Sequence, residues 1–295
     1  MNIPFKTALQ LAIKNSGKPI ISKFEIFYLA SIIDQNQSYQ GQPIRVQKLN
    51  FGSRKVAGVI TQLIKNRSII NDLDFPHSHF RVLDKNITTA SETCCLVDPF
   101  CYISHLTAMR KYGITNRIPE ITMLTRPATK IWRDLKEDFE EKYLGKNLQN
   151  IEYFNLKRSK FSGVIREMKI QTIETKFPHP TMQIRDSWDR IAKIGYVFLD
   201  MLDKPELCGG MNHVIEVWQE YAENYLDEII EAVDGCQKKI IKSRAGYIIN
   251  EVLKIQNKHV LEWLKHSQRG GSRLLDPTRP FVPKFSQKWM LSINV

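Results

Sequence analysis

Three apolar stripes at helical spacing, followed directly by two short apolar runs with a turn between them, fill the first 85 residues and leave few folds open. Phe5, Leu9, Ala12 and Ile13 form the first stripe, and Asn15-Ser16-Gly17 after it has the character of a helix C-terminus. Ser22 followed three residues later by Glu25 is a capping box, in which hydroxyl and carboxylate each satisfy an N–H that a helix start leaves without a partner. Phe24, Phe27, Tyr28 and Ile32 continue that helix as an apolar face. Gly41 and Pro43 then break the pattern, and Ile44, Val46 and Leu49 read as a short element. Gly52-Ser53 opens a third helix, with Ser53 as its cap and Val56, Val59, Ile60, Leu63 and Ile64 as its buried stripe. Residues 68–70 and 80–83 are strand-like, and DLDFPHSH between them predicts a hairpin loop.

Three helices and then a β-hairpin is the order of a winged helix-turn-helix. Its recognition helix must bury one stripe and offer polar and cationic side chains to the major groove, while the wing reaches neighbouring phosphates. The charge fits that use. Lys and Arg outnumber Asp and Glu by 43 to 31, for a formal net charge of +12. From Gln35 to Asn71 the chain carries Arg45, Lys48, Arg54, Lys55, Lys65 and Arg67 and no acid, so its positive field has no local compensation and points to a polyanion. The expected DNA contacts are Ser53, Arg54, Lys55, Gln62, Lys65 and Arg67 on or at the end of the third helix, Arg45 and Lys48 before it, and His79 and Arg81 beside the wing. Arg54 leads this set because a guanidinium can bond a base edge or a phosphate bidentately.

Periodicity lapses from Lys85 to Pro99, which places a domain junction there: residues 1–88 as the winged helix-turn-helix domain and 89–295 as a larger mixed α/β domain. In the second part, helices are predicted at 104–113, 128–145, 186–203, 211–232 and 237–253. Strands are predicted in ITMLT, at 151–154 and 168–173, and in the C-terminal KWMLSINV. A hydrophobic fraction of 42% with 25% charged residues excludes a mainly disordered chain. Cys94, Cys95, Cys101, Cys208 and Cys236 include no CxxC pair and read as reduced core thiols. His77 and His79 lack further ligands at metal-binding spacing. No run of about 18 apolar residues and no signal-peptide pattern occurs, so the expectation is a cytoplasmic protein with no membrane partner, no metal, no cofactor and no catalysis. Two alternatives remain open. Gly270-Gly271-Ser272 could cradle a triphosphate in a nucleotidyltransferase-type enzyme, although no Asp or Glu follows Asp276 to hold magnesium. The same basic surface could also serve an RNA-binding module.

Three stretches together resemble the AbiEi antitoxin family of type IV abortive-infection toxin–antitoxin systems. They are YISHLTAMRKYGIT at Tyr102–Thr115, GYVFLDMLDKPELCGGMNHVIEVW at Gly195–Trp218, and SRAGYIINEVL at Ser243–Leu253. The resemblance implies an N-terminal domain that binds inverted repeats in its own promoter and represses it. It also implies a C-terminal domain that counters a nucleotidyltransferase-like toxin without a stable complex. The charged stretch 128–163 matches nothing in that pattern.

Overall fold

The computed structural model describes residues 2–45, 51–86, 88–145, 152–267 and 273–295. The fold is mixed α/β, and it divides into two compact units that alternate along the chain. The first comprises 1–101, 126–170 and 174–176, and the second 102–125, 171–173 and 177–295. Residues 89–101 and 126–170, assigned by sequence to the C-terminal domain, therefore pack with the N-terminal elements. A junction placed where periodicity lapses could not show this, because the chain returns to the first unit through contacts far apart in sequence.

The first unit opens with β1 (Ile3–Pro4), α1 (Phe5–Asn15), β2 (Ile20–Ser22), α2 (Lys23–Asn36), β3 (Ser38–Tyr39), β4 (Gln42–Arg45), α3 (Ser53–Lys65), β5 (Ile69–Asn71), β6 (His79–Val82) and α4 (Ala90–Val97). Leu9, Ile13, Ile26, Phe27, Ile33, Val56, Ile60 and Leu63 of the three helices close over Ile21, Phe80 and Val82 to form its core. The capping box forms as read: Glu25 N–H donates to Ser22 Oγ at 3.1 Å and Ser22 N–H to Glu25 Oε2 at 2.8 Å. β6 is the centre of a three-stranded antiparallel sheet of order β2-β6-β5, with Ser22 opposite His79 and Ile69 opposite Val82. β1, β4 and β3 make a second small sheet.

The chain enters the second unit through β7 (Tyr102–Ile103), α5 (His105–Lys111) and the first residues of β8 (Thr122–Pro127), and returns as α6 (Thr129–Leu144). Phe139 and Tyr143 of α6 lie on α2, with Phe139 5.9 Å from Phe24 and Tyr143 5.0 Å from Tyr28 between ring centroids. Residues 152–161 follow without regular structure, not as the strand expected at 151–154, and Leu156 is buried with its N–H bonded to Glu140 at 2.6 Å. A tight hairpin, β9 (Val164–Ile165) and β10 (Met168–Thr175), turns at Arg166 and Glu167, both left-handed.

In the second unit, β11 (Thr181–Gln183) and β12 (Arg190–Ala192) extend the sheet to β7 and β8, with β12 parallel to β7. The helical run expected from 186 starts only at α7 (Ile194–Asp203), because Arg190–Ala192 is recruited as a strand. α8 (Met211–Tyr221), α9 (Leu226–Gly235), α10 (Lys239–Tyr247) and α11 (Lys258–Glu262) follow, and the strand expected in KWMLSINV is the short β14 (Leu291–Ser292), paired antiparallel with β13 (Phe285–Ser286). α7 meets α9 at Gly195, where a Cβ would lie 2.0 Å from the Glu228 carbonyl oxygen, so only glycine permits this approach. No helix among the described residues is long and apolar enough to cross a membrane.

Candidate nucleic-acid interface

α3 begins directly after Gly52, and it carries no acidic residue. Val56, Ile60 and Leu63 set its inward side. At about 100° per residue, Arg54, Gly58 and Lys65 fall within about 40° of the opposite direction, and Thr61 and Gln62 within about 60°. All five are exposed. The helix thus presents a row that is cationic at both ends and polar between, across roughly 16 Å of axis.

Several expected contacts lie elsewhere. Ser53 is not the cap but the first helical residue; it is 7% exposed, and its N–H donates to the Glu152 carbonyl at 2.8 Å. His79 is 3% exposed, because its place opposite Ser22 in the central strand turns it inward. Its Nδ1 shares a 2.8 Å hydrogen bond with Ser78 Oγ, and burial lowers its pKa, which favours a neutral ring. Neither side chain has surface to give to a phosphate. Lys55 is turned back onto the protein, its ammonium 3.4 Å from Asp34 Oδ1 and 4.6 Å from the Phe5 ring centroid. Arg81 is half-buried in the central strand. Arg45 is exposed at the end of β4 opposite Pro4, and Arg67 is exposed past the C-terminus of α3, beside Lys14 and Asp84 in a shallow depression. Lys48 lies outside the described residues, as do Gly270, Gly271 and Ser272. Asp276, the next carboxylate after that glycine pair in the sequence, is buried and bonded to Thr278 and Arg279.

The β5–β6 loop is held down. Asp72 accepts the N–H groups of Asp74 and Phe75 at 3.0 and 3.1 Å, and the Arg166 guanidinium bridges Asp72 and Asp74. Phe75 is buried against Phe161, with ring centroids 5.8 Å apart. Between this loop, the start of α2 and residues 153–157 lies a cavity of about 290 Å3. Lys23, His77 and Lys157 line it together with Phe24, Tyr153 and Phe154, and its lining holds no carboxylate. Lys157 follows Glu152, which is bonded to the start of α3, by five residue steps, so the two lie no more than about 18 Å apart. Lys23 and Lys157 were not singled out by sequence. Their only signal there is charge, which scattered surface lysines share.

The second unit holds a separate buried polar set at the start of the YISHLTAMRKYGIT stretch. Ser104 Oγ lies 2.8 Å from His105 Nδ1, Asp200 Oδ2 is 3.9 Å from the same nitrogen, and His179 Nε2 is 2.8 Å from Asp200 Oδ1. A nucleophile relay needs serine and carboxylate on opposite ring nitrogens. Here both face Nδ1 and Ser104 is fully buried, so the set pins the left-handed first residue of α5 (φ 52°) instead of activating a hydroxyl. Cys94, Cys95, Cys101 and Cys208 are buried and none is in a disulfide, and burial drives the thiols of Cys94, Cys101 and Cys208 well above their usual range. No family model matches the chain, and a comparison with curated proteins found no match.

Proposed function

We propose that the first unit is a winged helix-turn-helix that binds double-stranded DNA, with α3 as its recognition helix. We further propose that the whole protein is an autorepressing antitoxin of the type IV kind. The order α1-β2-α2-β3-β4-α3-β5-β6 with a β2-β6-β5 sheet supports the first step. The observation that carries it is the acid-free outward face of α3, where Arg54 and Lys65 flank Thr61 and Gln62. Lys23, His77 and Lys157 around the cavity add a phosphate-contacting shoulder. The antitoxin role rests on the AbiEi resemblance, and the partners that follow are operator DNA and a nucleotidyltransferase-like toxin countered without a stable complex.

Mobility shifts on the promoter upstream of the gene test the DNA reading. The Arg54→Ala/Lys65→Ala variant should lose at least tenfold in affinity, since a bidentate base contact alone is worth about 1–3 kcal/mol. Undiminished binding by that variant would sink the assignment of α3. Structured RNA at the same salt should bind more weakly than the duplex. Co-expression with a nucleotidyltransferase encoded in the same operon should restore growth if the antitoxin role holds.

A further inference from the structure

Gly58 occupies the middle of α3, between Arg54 one turn before it and Thr61 and Gln62 one turn after. Glycine in a helix interior destabilises the helix relative to alanine, through greater backbone freedom in the unfolded chain. Such a residue needs a reason, and the interior of the protein does not supply one. A Cβ at Gly58 would meet nothing within 4 Å, unlike Gly195, whose Cβ would strike the Glu228 backbone. Nor does the backbone turn left-handed there, since the glycines with positive φ are others.

We infer that Gly58 is the point where the α3 backbone meets base edges in the DNA major groove, and that its missing side chain sets how deeply the helix sits. The inference rests on the DNA-binding reading above. An α-helix with its side chains is about 10–12 Å across and the major groove about 12 Å wide, so the fit leaves little slack and the leading edge of the helix limits its depth. Gly58 is at that leading edge. With no side chain there, the helix moves inward by roughly the length of a C–C bond or more, and the short Gln62 side chain comes within reach of a base. Arg54 is long enough to reach from either depth. A side chain at position 58 therefore costs the contacts of Gln62 and spares those made to phosphates.

The test uses the full-length protein and a duplex enriched by it from a randomised pool, with an unselected duplex of equal length as control. Gly58→Ala and Gly58→Leu should each raise Tm by a few degrees, about 2–4 °C for a chain of this size. Both should keep binding to the unselected duplex within about threefold, and Gly58→Leu should lose at least tenfold on the selected one. Wild-type affinity of Gly58→Leu for the selected duplex, with Arg54→Ala impaired, overturns the role of Gly58 and leaves the DNA reading standing. A lowered Tm in Gly58→Ala also overturns it, because the glycine would then serve packing. If no duplex is enriched, or Arg54→Ala binds like the wild type, the DNA reading fails and takes this inference with it.

Discussion

A cation serves a partner only when its head group is free, and the side chains of the first unit are sorted by that criterion. Lys55 is adjacent to Arg54 in sequence, yet it points about 100° away around the helix, onto Asp34 and the Phe5 ring. The acid that neutralises it lies 21 residues earlier, just outside the acid-free stretch, so counting charges along the chain overstates the exposed field. Arg126 is the extreme case: its side chain is 4% exposed, Nε donates to Asp98 at 2.6 Å, and its guanidinium lies 4.1 Å from the Phe161 ring centroid. Asp98 also accepts Trp132 Nε1 at 3.1 Å and the Phe100 N–H at 3.0 Å. Asp98→Ala should cost about 3–5 kcal/mol in urea unfolding, because it strands a buried guanidinium. Replacing the pair with apolar residues should cost much less, and a mild Asp98→Ala would show that the pair is not sealed from water. His105 supplies a pH-dependent term in the second unit. Burial holds its imidazole below the usual 6.5 against the opposing pull of Asp200, so the folded state takes up its proton later than the unfolded chain does. Its contribution is complete above about pH 6.5 and is lost as pH falls below that toward the depressed value. His105→Asn, which tolerates the left-handed backbone, should flatten the decline in Tm between pH 7 and 5.5. An unchanged slope would assign the decline to other groups.

Whole elements were more legible than their faces. The boundaries of α1, α2 and α3 and the hairpin of β5 and β6 follow from stripes, the Ser22–Glu25 box and turn residues, all signals contained within about 15 residues. Burial of Ser53 and His79 was not legible. The first depends on a carbonyl at Glu152, about a hundred residues away, and the second on strand pairing with β2. The tethered β5–β6 loop has the same origin, since Arg166 reaches Asp72 and Asp74 from a separate hairpin. A loop fixed in this way cannot sweep a groove, so on the proposed DNA-binding reading any phosphate contacts on that side are fixed ones, from His77 of the loop and from Lys23 and Lys157 across the cavity. This is testable by salt dependence. Each neutralised phosphate contributes about −0.9 to the slope of log K against log salt. Lys23→Gln/Lys157→Gln should make the slope shallower by about one to two units and weaken selected and unselected duplexes alike. A slope equal to that of the wild type would remove the cavity from the interface.

At the scale of the whole molecule, the order of the chain and the order of the fold part company. Residues 1–88, where the sequence places the domain cut, contain every element of the winged helix-turn-helix reading, and the first continuous stretch of the first unit runs on to residue 101. A fragment ending at 101 would nonetheless lack α6 and residues 152–161, which cover aromatic side chains of α2 and the 98–101 turn: Phe24 meets Phe139, Tyr28 meets Tyr143, Phe27 meets Tyr153 and Phe154, and Phe100 meets Trp132. Burying one large apolar side chain is worth about 1.5–3 kcal/mol, so uncovering even three of these removes roughly 5–9 kcal/mol. Whole domains are stable by only about 5–15 kcal/mol. The loss is thus comparable to the total, and the exposed face would also favour aggregation. Residues 1–101 alone should show little cooperative unfolding by circular dichroism in urea and should bind duplex DNA weakly. Residues 1–176, which restore α6, the 152–161 segment and Arg166, should regain a cooperative transition. Should residues 1–101 unfold cooperatively with the stability of the longer fragment, α6 would be an appendage to the first unit and the stretch 128–163 would need another purpose.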